Sequence, residues 1–362
     1  MSITLKTAIG LMSGTSLDGV DAALLRTDGE VVERTGQALT LPYDTATREV
    51  LRACLGSGGD VPLAGRMLAE RHADAVHALL ARAGLSAAEV DILGFHGQTI
   101  SHRPAEGVTW QIGDGARLAE LTGIDVVADF RSRDMAAGGE GAPLAPLYHA
   151  ALVRDLGEAP IAVLNIGGVG NVTWVCGEEI VAFDTGPGGA LLDDWVLHRT
   201  GAQFDEGGAL AAEGKVHQDR VDDVLDRDPY FQRAAPKSLD RDAFSVDLGN
   251  LSTPDGAATL LALTATSVAR AEGLLPAAPV CWIVCGGGRH NQTLLKALAE
   301  RVSGKVQTAE EFGWDGDALE AEAFAYLAVR SLRGLPLSLP STTGCSAPVT
   351  GGALHQAISS ES

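Results

Sequence analysis

The sequence predicts an α/β protein that contains a duplicated unit of three strands. In the first copy, the apolar run 3–9 is followed by a polar turn with glycines and by a second apolar run, 22–25, which together favour a β-hairpin. In the second copy, the apolar run 161–166 is followed by a Gly-rich turn and by the strand-like segment 172–175. A third strand follows in each case, so we infer an internal repeat of one supersecondary unit.

The first turn, residues 14–21, has the composition of an anion-binding loop. Gly14 and Gly19 tolerate positive φ angles, while Thr15 and Ser16 offer hydroxyls and amides that can converge on a phosphate. An ordinary Ser/Gly/Asp hairpin turn remains the alternative on shape alone. The Gly-rich turn of the second copy makes the phosphate-binding interpretation stronger, because the same kind of unit recurs.

The rest of the first half alternates helical and strand patterns. Residues 3–38 are expected to form three strands, with a turn at Asp28-Gly29 between the second and the third. We expect helices over 44–55, 61–84 and 115–122, and further strands over 91–95, 110–113 and 124–128. The strand 91–95 would place His96 and its neighbours at a carboxyl end, where open α/β sheets collect ligand-binding groups. The strand 124–128 would end at a cluster of two arginines and two aspartates, which is either functional or a structural salt-bridge network. The Gly- and Pro-rich segment 136–146 predicts a hinge or loop between domains.

The second half continues in the same way. A strand over 180–183 would place Asp184 at its end, before a helix over 190–200. A helix over 257–271 precedes a buried strand, 280–284, which leads into three consecutive glycines. Further helices are expected over 291–298 and over 318–332.

Composition excludes several classes of protein. A formal net charge of −20 over 362 residues argues against a nucleic-acid partner held through its phosphates. No apolar run reaches the length of a membrane span, and no signal peptide is recognisable, so we expect a cytoplasmic protein without a membrane partner. Five scattered cysteines without a CxxC pair favour free thiols over a zinc site. The GxSxG, HExxH, GxGxxG and Walker A patterns are absent from the sequence.

Several separate motifs resemble those of the anhydro-N-acetylmuramic acid kinase family. In chain order they are 10–19 (GLMSGTSLDG), 94–99 (GFHGQT), 111–113 (QIG), 125–131 (DVVADFR), 136–144 (AAGGEGAPL), 165–168 (NIGG), 183–188 (FDTGPG) and 285–288 (CGGG). The resemblance runs from about residue 8 to the C-terminus. Three positions depart from the family pattern, namely Glu140 for Gln, Gly189 for Asn, and the sequence after Thr343-Gly344.

This resemblance implies the two-domain, ribonuclease H-like fold of actin, sugar kinases and Hsp70, with a duplicated core and an interdomain cleft. We expect an N-terminal subdomain over 1–145 and a C-terminal subdomain over 146–362; in an alternative arrangement, the C-terminal helix crosses back to the N-terminal subdomain. It also implies ATP and Mg²⁺ as cofactors and a sugar from cell-wall recycling as substrate. 1,6-Anhydro-N-acetylmuramic acid would be opened by water and phosphorylated on O6. A homodimer is compatible with these expectations.

The resemblance assigns roles to particular residues. Asp184 would be the catalytic base for water. The sugar would contact Arg131, through its lactyl carboxylate, and His96, Gln98, Thr99 and Glu320. Asp18 or Asp21 would orient hydrated magnesium, and the sequence does not choose between them. The nucleotide would be held by Gly14, Thr15, Ser16, Leu17, Asp18, Gly19, Val20, Asp21, Gly167, Gly168, Gly286, Gly287 and Gly288.

Two alternatives stay open at this point. The first is a kinase of the same fold that acts on another sugar or on a carboxylate. The second is an actin-like or Hsp70-like assembly or binding protein, which the high negative charge disfavours.

Overall fold

The computed structural model describes residues 4–14, 16–240 and 244–357. The chain divides into two compact units, Met1–Leu152 with Ala318–Ser362, and Val153–Asp317. The sequence placed the boundary at residue 145 and assigned 146–362 to the second domain, with the C-terminal helix as a segment that could cross back to the first. In the structure the first unit extends to Leu152, and the whole segment from Ala318 belongs to it.

The strands and helices follow the predicted order closely. The strands are β1 (Lys6–Ser13), β2 (Gly19–Thr27), β3 (Val32–Pro42), β4 (Ile92–Arg103), β5 (Val108–Ile112), β6 (Val126–Ala128), β7 (Ile161–Ile166), β8 (Val169–Cys176), β9 (Glu179–Pro187), β10 (Cys281–Cys285), β11 (Lys305–Thr308) and β12 (Ala353–His355). The helices are α1 (Thr45–Cys54), α2 (Val61–Ala83), α3 (Gly115–Thr122), α4 (Ser132–Ala136), α5 (Pro146–Val153), α6 (Ala190–Thr200), α7 (Ala209–Glu213), α8 (Gln218–Arg227), α9 (Thr253–Glu272), α10 (Gln292–Ala299), α11 (Leu319–Leu332) and α12 (Pro340–Thr343).

Each unit is built on one sheet, and the two sheets share a strand order. In the first unit the order is β12-β6-β4-β1-β2-β3, with β5 paired to β4. In the second unit the order is β11-β10-β7-β8-β9. In each sheet, three consecutive antiparallel strands form a meander, β1-β2-β3 in the first and β7-β8-β9 in the second. The first strand of each meander also pairs in parallel with a later strand, which is β4 in the first sheet and β10 in the second. The predicted duplication and the actin-like, ribonuclease H-like fold class are therefore confirmed.

The helices begin and end where the sequence supplies capping groups. The side chain of Asp44 accepts a hydrogen bond from the amide of Thr47 at 2.7 Å, and that of Asp60 accepts from Leu63 at 3.0 Å. Gly84 ends α2 and Gly123 ends α3 in the left-handed conformation that glycine adopts most easily. Buried aliphatic side chains of α1, α2 and α3 then pack on the first sheet to form its core.

Helix α11 joins the first unit because two glycines let its backbone lie directly on the sheet. Gly10 of β1 and Gly94 of β4 are paired neighbours in the sheet. A Cβ atom at Gly10 would lie 1.7 Å from the carbonyl oxygen of Ala321, and one at Gly94 would lie 2.1 Å from that of Phe324. Neither position has room for a side chain, so these glycines explain why the C-terminal helix returns to the N-terminal sheet.

The segment that the sequence predicted as a hinge is tied to the C-terminal residues of its own unit. The amide of Glu140 donates to the carbonyl of Thr343 at 2.7 Å, and the amide of Ser346 donates to Ala137 at 3.1 Å. The buried carboxylate of Asp134 accepts hydrogen bonds from Thr343 at 2.6 Å and from the side chain of Ser338. The chain passes between the units at residues 152–153 and 317–318 instead, outside this loop.

Two strands are longer than the sequence predicts, which changes the setting of predicted site residues. His96 lies inside β4, because β5 pairs with residues 98–103 and prolongs the strand. Asp184 lies inside β9, because Val169 and Gly170 pair with Pro187 and Gly186 beyond it. The prediction that these two residues follow strand ends was therefore wrong. No helix in the described part of the chain is long and apolar enough to cross a membrane.

Candidate active site

In the first unit, the turn between β1 and β2 is compact and points polar groups outward. The amide of Leu17 donates to the carbonyl of Gly14 at 3.1 Å and closes the turn. Leu17 has a φ of 59°, and its side chain is buried, whereas Ser16 and Asp18 are exposed. A buried apolar anchor in a strained conformation fixes the position of the exposed groups. Thr15, which belongs to the predicted phosphate-binding turn, lies outside the described residues.

A chain of buried hydrogen bonds supports the start of this turn. The hydroxyl of Tyr43 donates to Ser13 Oγ at 2.8 Å, and Ser13 Oγ donates to Gln98 Oε1 at 2.6 Å. The amide of Tyr43 also donates to the carbonyl of Asp18 at 3.0 Å. Burial raises the pKa of Tyr43, so the phenol remains a donor. The turn is therefore held by Tyr43, directly after β3, and by Gln98 of β4, as well as by its own hairpin.

Two carboxylates lie on the C-terminal side of this turn. Asp18 is exposed, and Asp21, on β2, accepts a hydrogen bond from the hydroxyl of Thr40 at 2.6 Å. Among the described residues, no group of three or more His, Cys, Asp or Glu side chains is placed to hold a metal ion. One or two carboxylates completed by water and phosphate oxygens are the usual protein ligands of Mg²⁺ in phosphoryl transfer, and this donor set is compatible with that mode.

Arg131 and His96 form a direct pair in the first unit. Arg131 donates through Nη2 to His96 Nε2 at 2.9 Å and through Nη1 to the carbonyl of Gly141 at 2.6 Å. His96 Nδ1 lies 2.9 Å from the carbonyl of Gly97, which fixes the tautomer with the proton on Nδ1. Burial, together with the charge of Arg131, holds the pKa of His96 well below its usual range. A neutral imidazole thus orients the guanidinium.

The other predicted sugar-binding residues differ in exposure. Gln98 is fully buried, and Thr99 on the same strand accepts a hydrogen bond from Gln111 Nε2 at 3.1 Å. Glu320 is exposed at the start of α11 and lies within electrostatic range of Arg131 and Asp21. Arg131, His96, Glu320 and Asp21 are thus brought into one region of the first unit, whereas Gln98 faces the core.

In the second unit, the Gly167–Gly168 turn packs against the start of α6. The amide of Gly189 donates to the carbonyl of Gly167 at 2.7 Å, and the amide of Gly188 donates to that of Gly168 at 3.0 Å. In a trans peptide, the N–H lies opposite the carbonyl. The amides of Gly168 and Val169 therefore point away from the start of α6.

The three consecutive glycines lie against the end of β7. Gly286 has a φ of 72°, and a Cβ atom there would lie 2.2 Å from Asn165 Oδ1. A Cβ atom on Gly288 would lie 2.5 Å from the side chain of Ile166, whereas Gly287 has open space. The sequence did not predict the support that this turn receives from Arg289. Its buried guanidinium donates to the carbonyl of Gly286 at 3.0 Å, to Glu310 at 2.7 Å and to Asp317 at 2.6 Å.

Asp184 is held on several sides by the segment 230–239. Its carboxylate accepts a hydrogen bond from the amide of Leu239 at 2.8 Å, and its own amide donates to the carbonyl of Lys237 at 2.9 Å. Its carbonyl accepts from the hydroxyl of Tyr230 at 2.5 Å. The side chain is 6% exposed, so its position is fixed by the fold.

The supporting residues Tyr43, Arg289 and Lys237 were missed by sequence reasoning. Tyr43 and Lys237 lie far along the chain from the groups that they support. Arg289 lies directly after the glycine motif, three residues from Gly286, but its ion-pair partners Glu310 and Asp317 come later in the chain. A buried cation or phenol carries no periodic signal, so these contacts become visible only after folding.

The repeated strand order, with polar hairpin turns in both units, defines the class of actin-like ATPases and sugar kinases. A family model described as "Anhydro-N-acetylmuramic acid kinase" matches residues 6–357. The chain belongs to this family, and it is therefore a kinase.

Similar proteins agree with this assignment. Proteins with that name from Rhodospirillum rubrum and Paramagnetospirillum magneticum are each 54% identical, over 95% and 96% of this chain and 93% and 99% of their own lengths. Among solved structures, the Clostridium difficile activator of 2-hydroxyisocaproyl-CoA dehydratase with bound ADPNP has a TM-score of 0.44 at 11% identity, covering 91% of this chain and 96% of its own. A ROK hexokinase from Thermus thermophilus has a TM-score of 0.40 at 15% identity, covering 89% and 99%. Because these TM-scores are below 0.5, the fold assignment rests on the strand order.

Proposed function

We propose that this kinase uses ATP to convert 1,6-anhydro-N-acetylmuramic acid into N-acetylmuramic acid 6-phosphate and ADP, as a step in the recycling of cell-wall sugars. Family membership over residues 6–357 supports the substrate. The observation that carries the chemistry is Asp184, a carboxylate fixed by backbone hydrogen bonds in the unit that also contains both Gly-rich turns.

The phosphate-binding role is assigned to the two hairpin turns. In the first unit, Ser16 and the neighbouring amides would contact phosphate oxygens, and in the second unit the amides of Gly168 and Val169 would do so. Gly287, which has open space, would lie beside the nucleoside. Asp18 or Asp21 would orient hydrated Mg²⁺, and the ion would supply neutralisation of the charge that develops during transfer.

The sugar-binding role is centred on Arg131. A guanidinium whose orientation is fixed by His96 and Gly141 suits the lactyl carboxylate of the substrate. Glu320 is exposed near Arg131 and would accept hydrogen bonds from sugar hydroxyls. Buried Gln98 would act by holding Ser13 and thus the phosphate turn, and Thr99 stays a proposed contact.

In the proposed reaction, the protein accepts a single proton, which comes from the attacking water. Asp184 takes a proton from water as the water oxygen forms a bond to C1. The C1–O6 bond breaks, its electron pair goes to O6, and O6 forms a bond to the γ-phosphorus while the bond to ADP breaks. A positioned base contributes about 10²–10⁴-fold to such a step.

The substitution Asp184→Asn tests this assignment. Asparagine retains an oxygen that can accept from Leu239, so we expect normal folding and a loss of kcat of at least about 10²-fold. Release of ADP is measured in a coupled assay with the anhydro-sugar, with ordinary hexoses as competing acceptors.

Asp205 provides a matched control in the same unit. It is also buried, and its carboxylate accepts from the amides of Leu210 at 2.8 Å and Ala211 at 2.9 Å. Asp205→Asn should change stability without a specific loss of turnover. Retention of most activity by Asp184→Asn, or equal activity on hexoses, would contradict the proposed function.

A further inference from the structure

Arg289 is a buried cation that directly follows the glycine turn, residues 286–288. Its side chain is 4% exposed. Nη1 donates to the carbonyl of Gly286 at 3.0 Å, and Nε donates to Glu310 Oε1 at 2.7 Å. Nη1 and Nη2 also donate to the two carboxylate oxygens of Asp317, at 2.8 and 2.6 Å. Such a bidentate pair fixes the orientation of the guanidinium as well as its position.

The chain at residues 316–317 is packed directly on this guanidinium. A Cβ atom at Gly316 would lie 2.4 Å from Arg289 Nε, so the backbone comes closer than a residue with a side chain would allow. The amide of Gly316 also donates to Glu310 Oε1 at 3.3 Å. The hydrogen bonds from Arg289 lower the pKa of Asp317, so this carboxylate is charged at neutral pH. Removing it would leave a buried guanidinium with too little compensating charge.

On its other side, Arg289 holds a peptide group of the glycine turn. The carbonyl of Gly286 accepts from Arg289 twice, through the backbone amide at 3.2 Å and through Nη1. A Cβ atom at Gly286 would lie 2.2 Å from Asn165 Oδ1 and 2.7 Å from the carbonyl oxygen of Ile166. These two residues directly precede the turn at 167–168. Arg289 therefore fixes a peptide that lies against the strand leading to the proposed phosphate turn of this unit.

The partner on the first side, Asp317, is the last residue of the second unit. We propose that Arg289 is a positioning residue that makes the affinity of the glycine turn for nucleotide depend on Asp317, where the chain leaves the unit. Arg289 acts through the Gly286 peptide, because its guanidinium is buried and bound to protein partners. This inference rests on the proposed role of the glycine turn in holding the nucleoside.

The effect is expected in nucleotide binding and not in the chemical step. Asp184, the proposed base, is held by different partners, the amide of Leu239 and the carbonyl of Lys237. A change that weakens ground-state and transition-state binding equally raises KM and leaves kcat unchanged. For Asp317→Asn, KM for ATP and the dissociation constant of ADP should rise about tenfold, as for the loss of one hydrogen bond to a charged group. KM for the anhydro-sugar should not change.

A double variant tests whether Asp317 acts through Arg289. If it does, adding Asp317→Asn to Arg289→Met should not raise KM for ATP beyond the value for Arg289→Met alone. Arg270 and Asp226 provide a matched control in the same unit. Arg270 also donates to a backbone carbonyl, that of Leu225 at 2.8 Å, and to a carboxylate, that of Asp226 at 2.6 Å. Asp226→Asn should leave KM for ATP unchanged.

Three results would overturn the inference. They are an unchanged KM for ATP in Asp317→Asn, additive effects in the double variant, and an equal rise in KM for ATP in Asp226→Asn. If Arg289→Met does not fold, the comparison of Asp317→Asn with Asp226→Asn decides by itself. Absence of ADP release by the wild type with the anhydro-sugar would instead overturn the proposed function, so the two failures are distinguishable.

Discussion

The close approach of α11 to the first sheet makes Gly10 a sharp test of the fold. The substitution Gly10→Ala adds one methyl group, whose carbon would lie 1.7 Å from the carbonyl oxygen of Ala321 and 2.5 Å from the amide nitrogen of Ala325. Both are backbone atoms, so no side-chain rotation relieves the contact and the helix itself must move. Overpacking a core costs about 1–3 kcal/mol and sometimes more.

For Gly10→Ala, we expect the cost in folding free energy from overpacking to lie at the upper end of that range. Replacing glycine by alanine in a strand gains about 0.5–1 kcal/mol through backbone entropy, which offsets part of the cost. We therefore expect a net loss of about 2 kcal/mol or more for Gly10→Ala. For a unit of roughly 200 residues, this corresponds to a decrease in Tm of about 4–8 °C. The midpoint of thermal unfolding, followed by circular dichroism, measures it.

Gly65 on α2 is the matched control, since a Cβ atom there meets its nearest neighbour, the amide nitrogen of Gly113, at 3.9 Å. Gly65→Ala should gain about 0.5–1 kcal/mol, because glycine is a poor helix former. The reasoning would be refuted if Gly10→Ala unfolded at the wild-type temperature, or if both variants lost the same stability.

Two further predictions concern buried histidine and the sugar site. Burial lowers the pKa of His72 on α2 to about 4, so below about pH 6.5 the unfolded state binds a proton that the folded state does not. Stability is therefore retained above pH 6.5 and lost as the pH falls towards 4, by up to about 1.4 kcal/mol per pH unit. Urea unfolding at several pH values measures how the free energy of unfolding depends on pH. This dependence should be flatter for His72→Gln than for the wild type, and unchanged for His77→Gln, which alters an exposed histidine of the same helix. Equal pH dependences for the two variants would contradict this prediction. Separately, Arg131→Gln should raise KM for the anhydro-sugar at least tenfold and leave KM for ATP unchanged, with the exposed Arg133→Gln as the control; an unaltered sugar KM would assign the lactyl carboxylate to another cation.

Local features of the structure were largely predictable from the sequence. The hairpins, the duplicated meander and most helix bounds follow from apolar periodicity and from turn or capping residues such as Gly84 and Gly123, which act over a few positions. The family motifs also place the predicted phosphate turns and Asp184 in order along the chain.

Strand pairing over long distances was not predictable in the same way. The extensions of β4 and β9 arise from partners in β5 and β8, so His96 and Asp184 lie within strands and not after them. The return of α11 depends on Gly10 and Gly94 becoming neighbours in the sheet, although 84 residues separate them in the sequence.

The sequence by itself determined which segments become strands, helices and polar turns, because those choices depend on the side chains of a few consecutive residues. The tertiary structure alone decided that His96 orients Arg131, that Arg289 supports the glycine turn, and that Lys237 lies buried beside Asp184. Each of these is a polar contact that depends on residues far apart in the sequence, since Arg289 is itself held by Glu310 and Asp317. Its strength depends on burial and on distances of a few ångströms, which exist only once the chain is packed.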